Sequence, residues 1–200
     1  VLEKLLTEIY QDNYQINMIE SIGGKIGDEL QHSAIKAIIT AMIFIGIYIT
    51  FRFDSFYAIG SLIAIVHDVA ITFTGLMIFQ YEISISIIAA LLTIVGYSLN
   101  DTIVIYDRVR ENLKINFKVD RNIVANNSLN ITLNRTIITS LTTLMVAFAL
   151  FIVGGEALKP FSMALIIGVM TGTYSSLFIA TPIMLILEDK YKLEDLQEGE

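Results

Sequence analysis

Long apolar runs separated by short polar ones dominate the chain. The windows 35–51, 56–79, 83–106, 131–153 and 161–187 are almost free of charge, and a span of about 30 Å of hydrocarbon takes roughly 20 mostly apolar residues. Ile and Val are frequent in them, yet windows this long cannot be strands of a compact domain. The pattern therefore predicts five transmembrane helices. The first window is the shortest, and Lys36 at its mouth extends it by snorkelling to the headgroups. The last is long, and Pro182 inside it removes a backbone hydrogen bond and so predicts a bend.

Composition agrees with the pattern: 54% of the residues are hydrophobic and only 16% charged, where a soluble domain has about a quarter charged. A water-soluble enzyme is excluded on that ground. The net charge of −7 argues against nucleic-acid binding. With no cysteine there is no disulfide scaffold, thiolate metal site or cysteine nucleophile. No phosphate loop, metal-ligand cluster or nucleophile triad is recognisable, so neither a cofactor nor hydrolytic chemistry is expected.

Five spans put Arg52, Arg108, Arg110, Lys114, Lys118, Arg121, Lys190 and Lys192 on one side of the bilayer, and Lys4, Lys25, Lys36 and Lys159 on the other. Cytoplasmic loops carry the basic excess. The beginning of the chain is therefore expected outside and its C-terminus in the cytoplasm. Residues 1–14 read as a helix and 15–22 as a strand, followed by a turn at Gly23, Gly24 and Gly27. One helix and one strand cannot bury a core, so residues 1–33 are expected to be the end of an external domain in a longer protein. Residues 107–130 carry five basic side chains among Val109, Leu113 and Phe117. They read either as an amphipathic helix lying on the cytoplasmic membrane surface or as a charged loop. Residues 188–200 read as a solvated acidic tail.

Four ionisable side chains fall inside the spans, where each costs at least ~2.5–3.5 kcal/mol. His67 and Asp68 lie at the middle of the second span, Asp101 near the inner end of the third, and Arg135 near the inner end of the fourth. At ~1.5 Å per residue, Asp101 and Arg135 lie at similar depths on consecutive antiparallel helices, about 6–8 Å in, which predicts that they pair. Asp68 lies further out, as the next rung of a ladder. His67 points about 100° away from Asp68 on the same helix, so the two need not share a site. Thr132, Thr136, Thr139, Ser140 and Thr143 form a hydroxyl face around Arg135, suited to holding water or bonding a neighbouring helix. Gly168 and Gly172, extended by Ser175 and Ser176, mark a close helix approach. The bland reading of all these groups is a bundle locked in register by buried polar contacts.

The run from Val95 to Thr102 (Val-Gly-Tyr-Ser-Leu-Asn-Asp-Thr, including Asn100 and Asp101) and its continuation from Asp107 to Asn112 resemble the signature of the SecF family. So do His67-Asp68-Val69, Asn134-Arg135-Thr136 through Thr139-Ser140, and Gly154-Gly155. The family consists of bacterial Sec translocon subunits and belongs to the resistance-nodulation-division superfamily. The resemblance implies an all-α polytopic protein of the bacterial cytoplasmic membrane: five helices of a six-helix bundle, with the remnant of an external ferredoxin-like α+β domain. It implies SecD, the SecYEG channel and a translocating preprotein as partners, and proton-motive force as the energy source. In that reading Asp101 takes up and releases a proton opposite Arg135; by their place within the second span, Asp68 and His67 are the further candidates for the proton relay, with a packed, hydrogen-bonded histidine as the other reading of His67. Asn100, Thr136, Thr139, Ser140 and Thr143 form the supporting polar face. Sodium is the other ion that a carboxylate among hydroxyls binds. Two alternatives stand beside this reading: a proton-coupled small-solute exporter of the same superfamily, and a purely structural bundle subunit.

Overall fold

The computed structural model describes residues 24–198, and among them it holds helices and no strand. Helix α1 runs Gly24–Arg52, α2 Ser55–Ile78, α3 Ile85–Ile115 and α4 Arg121–Val153. A 3-10 turn, Glu156–Leu158, leads into α5, Lys159–Ser175, which continues through a π-helical turn, Ser176–Ala180, into α6, Thr181–Glu198. Five stretches are long and apolar enough to cross a membrane, the last being α5 and α6 together as far as Tyr191. The chain is thus an integral membrane protein of the predicted all-helical class.

Local chemistry sets the helix starts. Asp54 accepts a hydrogen bond from the Ser55 amide at 2.6 Å, and Asp120 accepts from the Asn122 and Ile123 amides at 2.8 and 3.3 Å. Each satisfies donors that the first turn leaves open. Gly155 takes φ 75°, a value that costs glycine little, and so separates α4 from the last span.

Two expectations change. Residues 107–130 are neither a helix lying along the membrane surface nor a loop. They divide between the end of α3 and the start of α4, with only 116–120 between them. Before the break the polar stretch keeps good helix formers, Arg108, Arg110, Glu111, Leu113 and Lys114, and after it Asp120 caps the start of α4. Gly24 and Gly27 do not make a turn either, since α1 already includes both. The expected strand at 15–22, and with it the ferredoxin-like remnant, lies outside the described residues.

Helix α5 is the centre of the bundle and packs against α2, α3 and α4. The approach to α3 is close because side chains are missing. A Cβ on Gly168 would overlap the Ile94 side chain, and one on Gly172 would stand 3.1 Å from Ser98 Cβ. Helix α1 lies at the edge, against α2, and Ile49 is its only buried residue among those described.

Two apolar cores result. One gathers Leu76, Ile87, Ala90, Leu91, Ile94 and Ala164. The other includes Ile49, Tyr57, Ala64, Ile105, Tyr106, Val109, Ala180 and Met184. Between them along α2, α3 and α5 lies a buried polar layer: Asp68 and Thr72, then Ser98, Asp101 and Thr102, then Ser175 and Ser176. Three of the basic residues assigned to one side tie helices together. Arg52 pairs with Asp107 at 2.9 Å, Arg110 donates to the Arg52 carbonyl at 2.8 Å, and Arg121 pairs with Glu188 and, at 3.5 Å, with Asp189.

Candidate functional site

The polar layer is built from small hydroxyl side chains facing a carboxylate across three helices. Asp68, 1% exposed at mid-span of α2, accepts two hydrogen bonds on Oδ2, from Ser98 Oγ of α3 at 2.6 Å and Ser175 Oγ of α5 at 2.7 Å. Its other oxygen, Oδ1, lies 3.1 Å from His67 Nδ1. The 100° offset between consecutive helix positions therefore does not separate these two residues. Side-chain torsions bring the imidazole back over the carboxylate.

Below this contact the layer continues. Thr102 Oγ1 donates to Ser176 Oγ at 2.9 Å, and Ser176 in turn donates to the carbonyls of Gly172 and Ser98. Ser176 opens the π turn. An i→i+5 turn of this kind is rare and frequently marks a functional place in a helix. Only Thr181 separates it from Pro182, whose missing N–H had predicted a bend in this span.

Asp101 occupies the side of α3 that faces α4. It is 3% exposed, and its Oδ2 has no hydrogen-bond partner. Arg135 is its charged neighbour and Thr139 its hydroxyl neighbour. The predicted pairing is looser than depth alone suggested. No ion pair within 4.0 Å joins Asp101 to Arg135 among the described residues, and Arg135 is exposed on α4. Leaving a buried acceptor unpaired costs about 1–3 kcal/mol, and more for a charge.

The hydroxyl face of α4 splits by neighbour. Ser140 reaches across helices, accepting from Tyr97 Oη at 3.2 Å and bonding Thr173 Oγ1 of α5 at 2.7 Å. Thr139 and Thr143 return to carbonyls of their own helix. Thr136 is buried with its hydroxyl unpartnered, as is Thr72 on α2. Asn100 is exposed.

Sequence reasoning missed Ser98, Thr102 and Tyr97 as site residues and took Ser175 and Ser176 for packing alone. The available signal was the repeat Ser98, Thr102 at four-residue spacing beside Asp101. No group of three or more His, Asp or Glu residues suited to a metal ion occurs among the described residues.

The family model for protein export membrane protein SecD/SecF, C-terminal, matches residues 1–190. A SecF protein translocase subunit from Calditerrivibrio nitroreducens is 43% identical over 190 residues, covering 94% of this chain and 62% of the relative. One from Thermodesulfovibrio yellowstonii is 47% identical over 174 residues, covering 86% of this chain and 58% of the relative. The chain thus spans only about three-fifths of these relatives' length. Among solved structures, SecDF in a super-membrane-facing form superposes with a TM-score of 0.83 at 35% identity, covering 98% of this chain and 27% of that one. SecDF from Thermus thermophilus, a translocon-associated membrane protein, gives a TM-score of 0.83 at 38% identity, with 94% and 26% covered. A family match over nearly the whole length, an all-helical bundle of the same shape and a buried acid on the motif-bearing helix together place the chain in the SecD/SecF family of protein-export membrane proteins.

Proposed function

We propose that this chain is the membrane-embedded part of a SecF-type translocase subunit that couples proton-motive force to protein export across the bacterial cytoplasmic membrane. It works with SecD and the SecYEG channel on a translocating preprotein, as a transport component without hydrolytic chemistry. The beginning of the chain faces the outside and the C-terminus the cytoplasm, as the distribution of Lys and Arg requires.

The observation that carries the coupling role is the incomplete satisfaction of Asp101. A carboxylate 3% exposed, with one oxygen unpartnered and a guanidinium nearby but not in contact, is an unfinished ion pair. A proton taken up at Oδ2 cancels the buried charge, and a small approach of Arg135 favours releasing it again. One charge moved through 100 mV is worth about 2.3 kcal/mol. That is enough to bias two conformations separated by a few kcal/mol. A pair that only braced the bundle would be closed, with both groups fully bonded.

The test is preprotein translocation into sealed vesicles with and without a proton gradient, comparing Asp101→Asn with the parent in the complete complex. Loss of gradient-stimulated export with the gradient-independent component retained is expected. Unchanged stimulation would leave the bracing role in possession. A stimulation that follows a sodium gradient instead would reassign the coupling ion.

A further inference from the structure

The second buried acid of the bundle has a full set of partners of its own. Asp68 is held by Ser98, Ser175 and His67, and these are the side chains that act on it. Asp101 is acted on by Arg135 and Thr139 of α4. No hydrogen bond among the described residues joins the two acids, so the ladder from Asp101 to Asp68 is interrupted. From α3 only Ser98 reaches Asp68, and Asp101 serves the α4 side. From α5 come Ser175 and, against the His67 ring at a centroid distance of 6.3 Å, Tyr174.

Burial restricts how a proton could arrive. Asp68, Ser98 and Ser175 are 1%, 1% and 0% exposed, whereas the His67 side chain, at mid-span, has 31% of its surface left uncovered by the rest of the described bundle. Oδ2 is occupied by two hydroxyl donors, which leaves Oδ1, the oxygen facing Nδ1. Imidazole is suited to this position because its two nitrogens lie on opposite sides of the ring.

We propose that His67 and Asp68 form a second protonation site, separate from Asp101, with His67 as its entrance. Resting on the reading of the bundle as proton-driven, the step is a relay. The neutral imidazole takes a proton at Nε2 while its Nδ1–H proton passes to Asp68 Oδ1. One proton enters, the imidazole remains neutral as the other tautomer, and the carboxylate becomes a carboxylic acid whose O–H donates to Nδ1. Discharge is the reverse. Neutralising Asp68 weakens Oδ2 as an acceptor, and Ser175 then has a second acceptor ready, the Gly172 carbonyl at 3.2 Å. The α2–α3–α5 contact is thereby loosened at the residue that precedes the π turn.

Infrared difference spectroscopy of the full-length subunit with its partner subunit in lipid bilayers, taken between alkaline and acidic pH, reads the site directly. A protonated-carboxyl C=O band is expected that disappears in Asp68→Asn, persists in Asp101→Asn, and shifts to higher frequency in Ser175→Ala, where Oδ2 loses a donor. In His67→Gln, which keeps a hydrogen-bond donor but cannot relay a proton, the band should form about a hundredfold more slowly, since a positioned acid–base group is worth ~10²-fold or more. Should Asp68→Asn fail to fold, the Ser175→Ala shift decides. No titrating band, or one indifferent to both Asp68→Asn and Ser175→Ala, overturns the proposal, as does an undiminished rate in His67→Gln. Gradient-stimulated export that survives Asp101→Asn would overturn the coupling role of Asp101 and leave these bands unaffected, so the two failures are distinguishable.

Discussion

At Gly168 the α5 backbone lies where any side chain would run into Ile94, while around Gly96 on α3 there is nothing within 4 Å of the place a Cβ would take. Gly168→Ala is therefore expected to destabilise the bundle by about 1–3 kcal/mol through overpacking. Gly96→Ala should be neutral or stabilising by up to about 1 kcal/mol, because it only removes backbone freedom from the unfolded chain. Reversible unfolding in a bilayer or mixed micelle measures both, and equal effects would refute the close-approach argument. Arg135 gives a second contrast. It is exposed and makes no ion pair with Asp101, so Arg135→Gln should leave stability nearly unchanged while abolishing gradient-stimulated export in the complete complex. A large stability loss would instead reveal a bracing pair. The acids themselves were legible from hydropathy, since an ionisable group in a span is costly wherever it points. Their partners were not. Ser98 and Ser175 belong to a residue type that spans commonly contain for packing, and nothing in their spacing says which acid they face.

Among the elements, the last span differs from the regular helices around it. Its π turn, Ser176–Ala180, lies directly before Thr181 and Pro182. Proline has no N–H to return to Phe178 and so favours a local change of pairing. The turn in turn presents Ser176 to Thr102 at 2.9 Å and Ser175 to Asp68 at 2.7 Å. Restoring the N–H with Pro182→Ala should let the turn contract to α-helical pairing and rotate Ser176 away from α3 and Ser175 away from Asp68 of α2. The chain has no cysteine, so a Thr102→Cys/Ser176→Cys pair offers a clean readout. It should cross-link readily with Pro182 present and several-fold less in Pro182→Ala, given the tight Cβ separation a disulfide demands. Undiminished cross-linking would mean that the turn does not depend on the proline. Pro182 made an irregularity in this span legible. The form it took depends on contacts with α2 and α3, which lie far away along the chain.

For the whole molecule, two apolar cores enclose one polar layer, and one end is tied by ion pairs between segments distant in sequence. Arg121 at the start of α4 reaches Glu188 and Asp189 of α6. All three side chains are partly exposed, so Arg121→Gln should cost no more than about 1 kcal/mol. That loss should fade as salt is added, because mobile ions screen such pairs. A larger, salt-independent loss in a thermal unfolding series would show that Arg121 carries packing as well as charge. The number of spans, their approximate limits and the positions of Asp68, Asp101 and Arg135 within them were all determined by sequence alone. Each follows from transfer free energy summed along one stretch of chain, which needs no knowledge of neighbours. Only the tertiary structure decided that α5 is central, that Asp68 is bonded by three groups while Asp101 keeps a free oxygen, and that residues 107–130 extend two helices. Helical periodicity defines a face for each span but leaves open which other span that face meets. Close packing between Gly168, Gly172 and α3 resolves that choice, and with it which hydroxyls reach which acid.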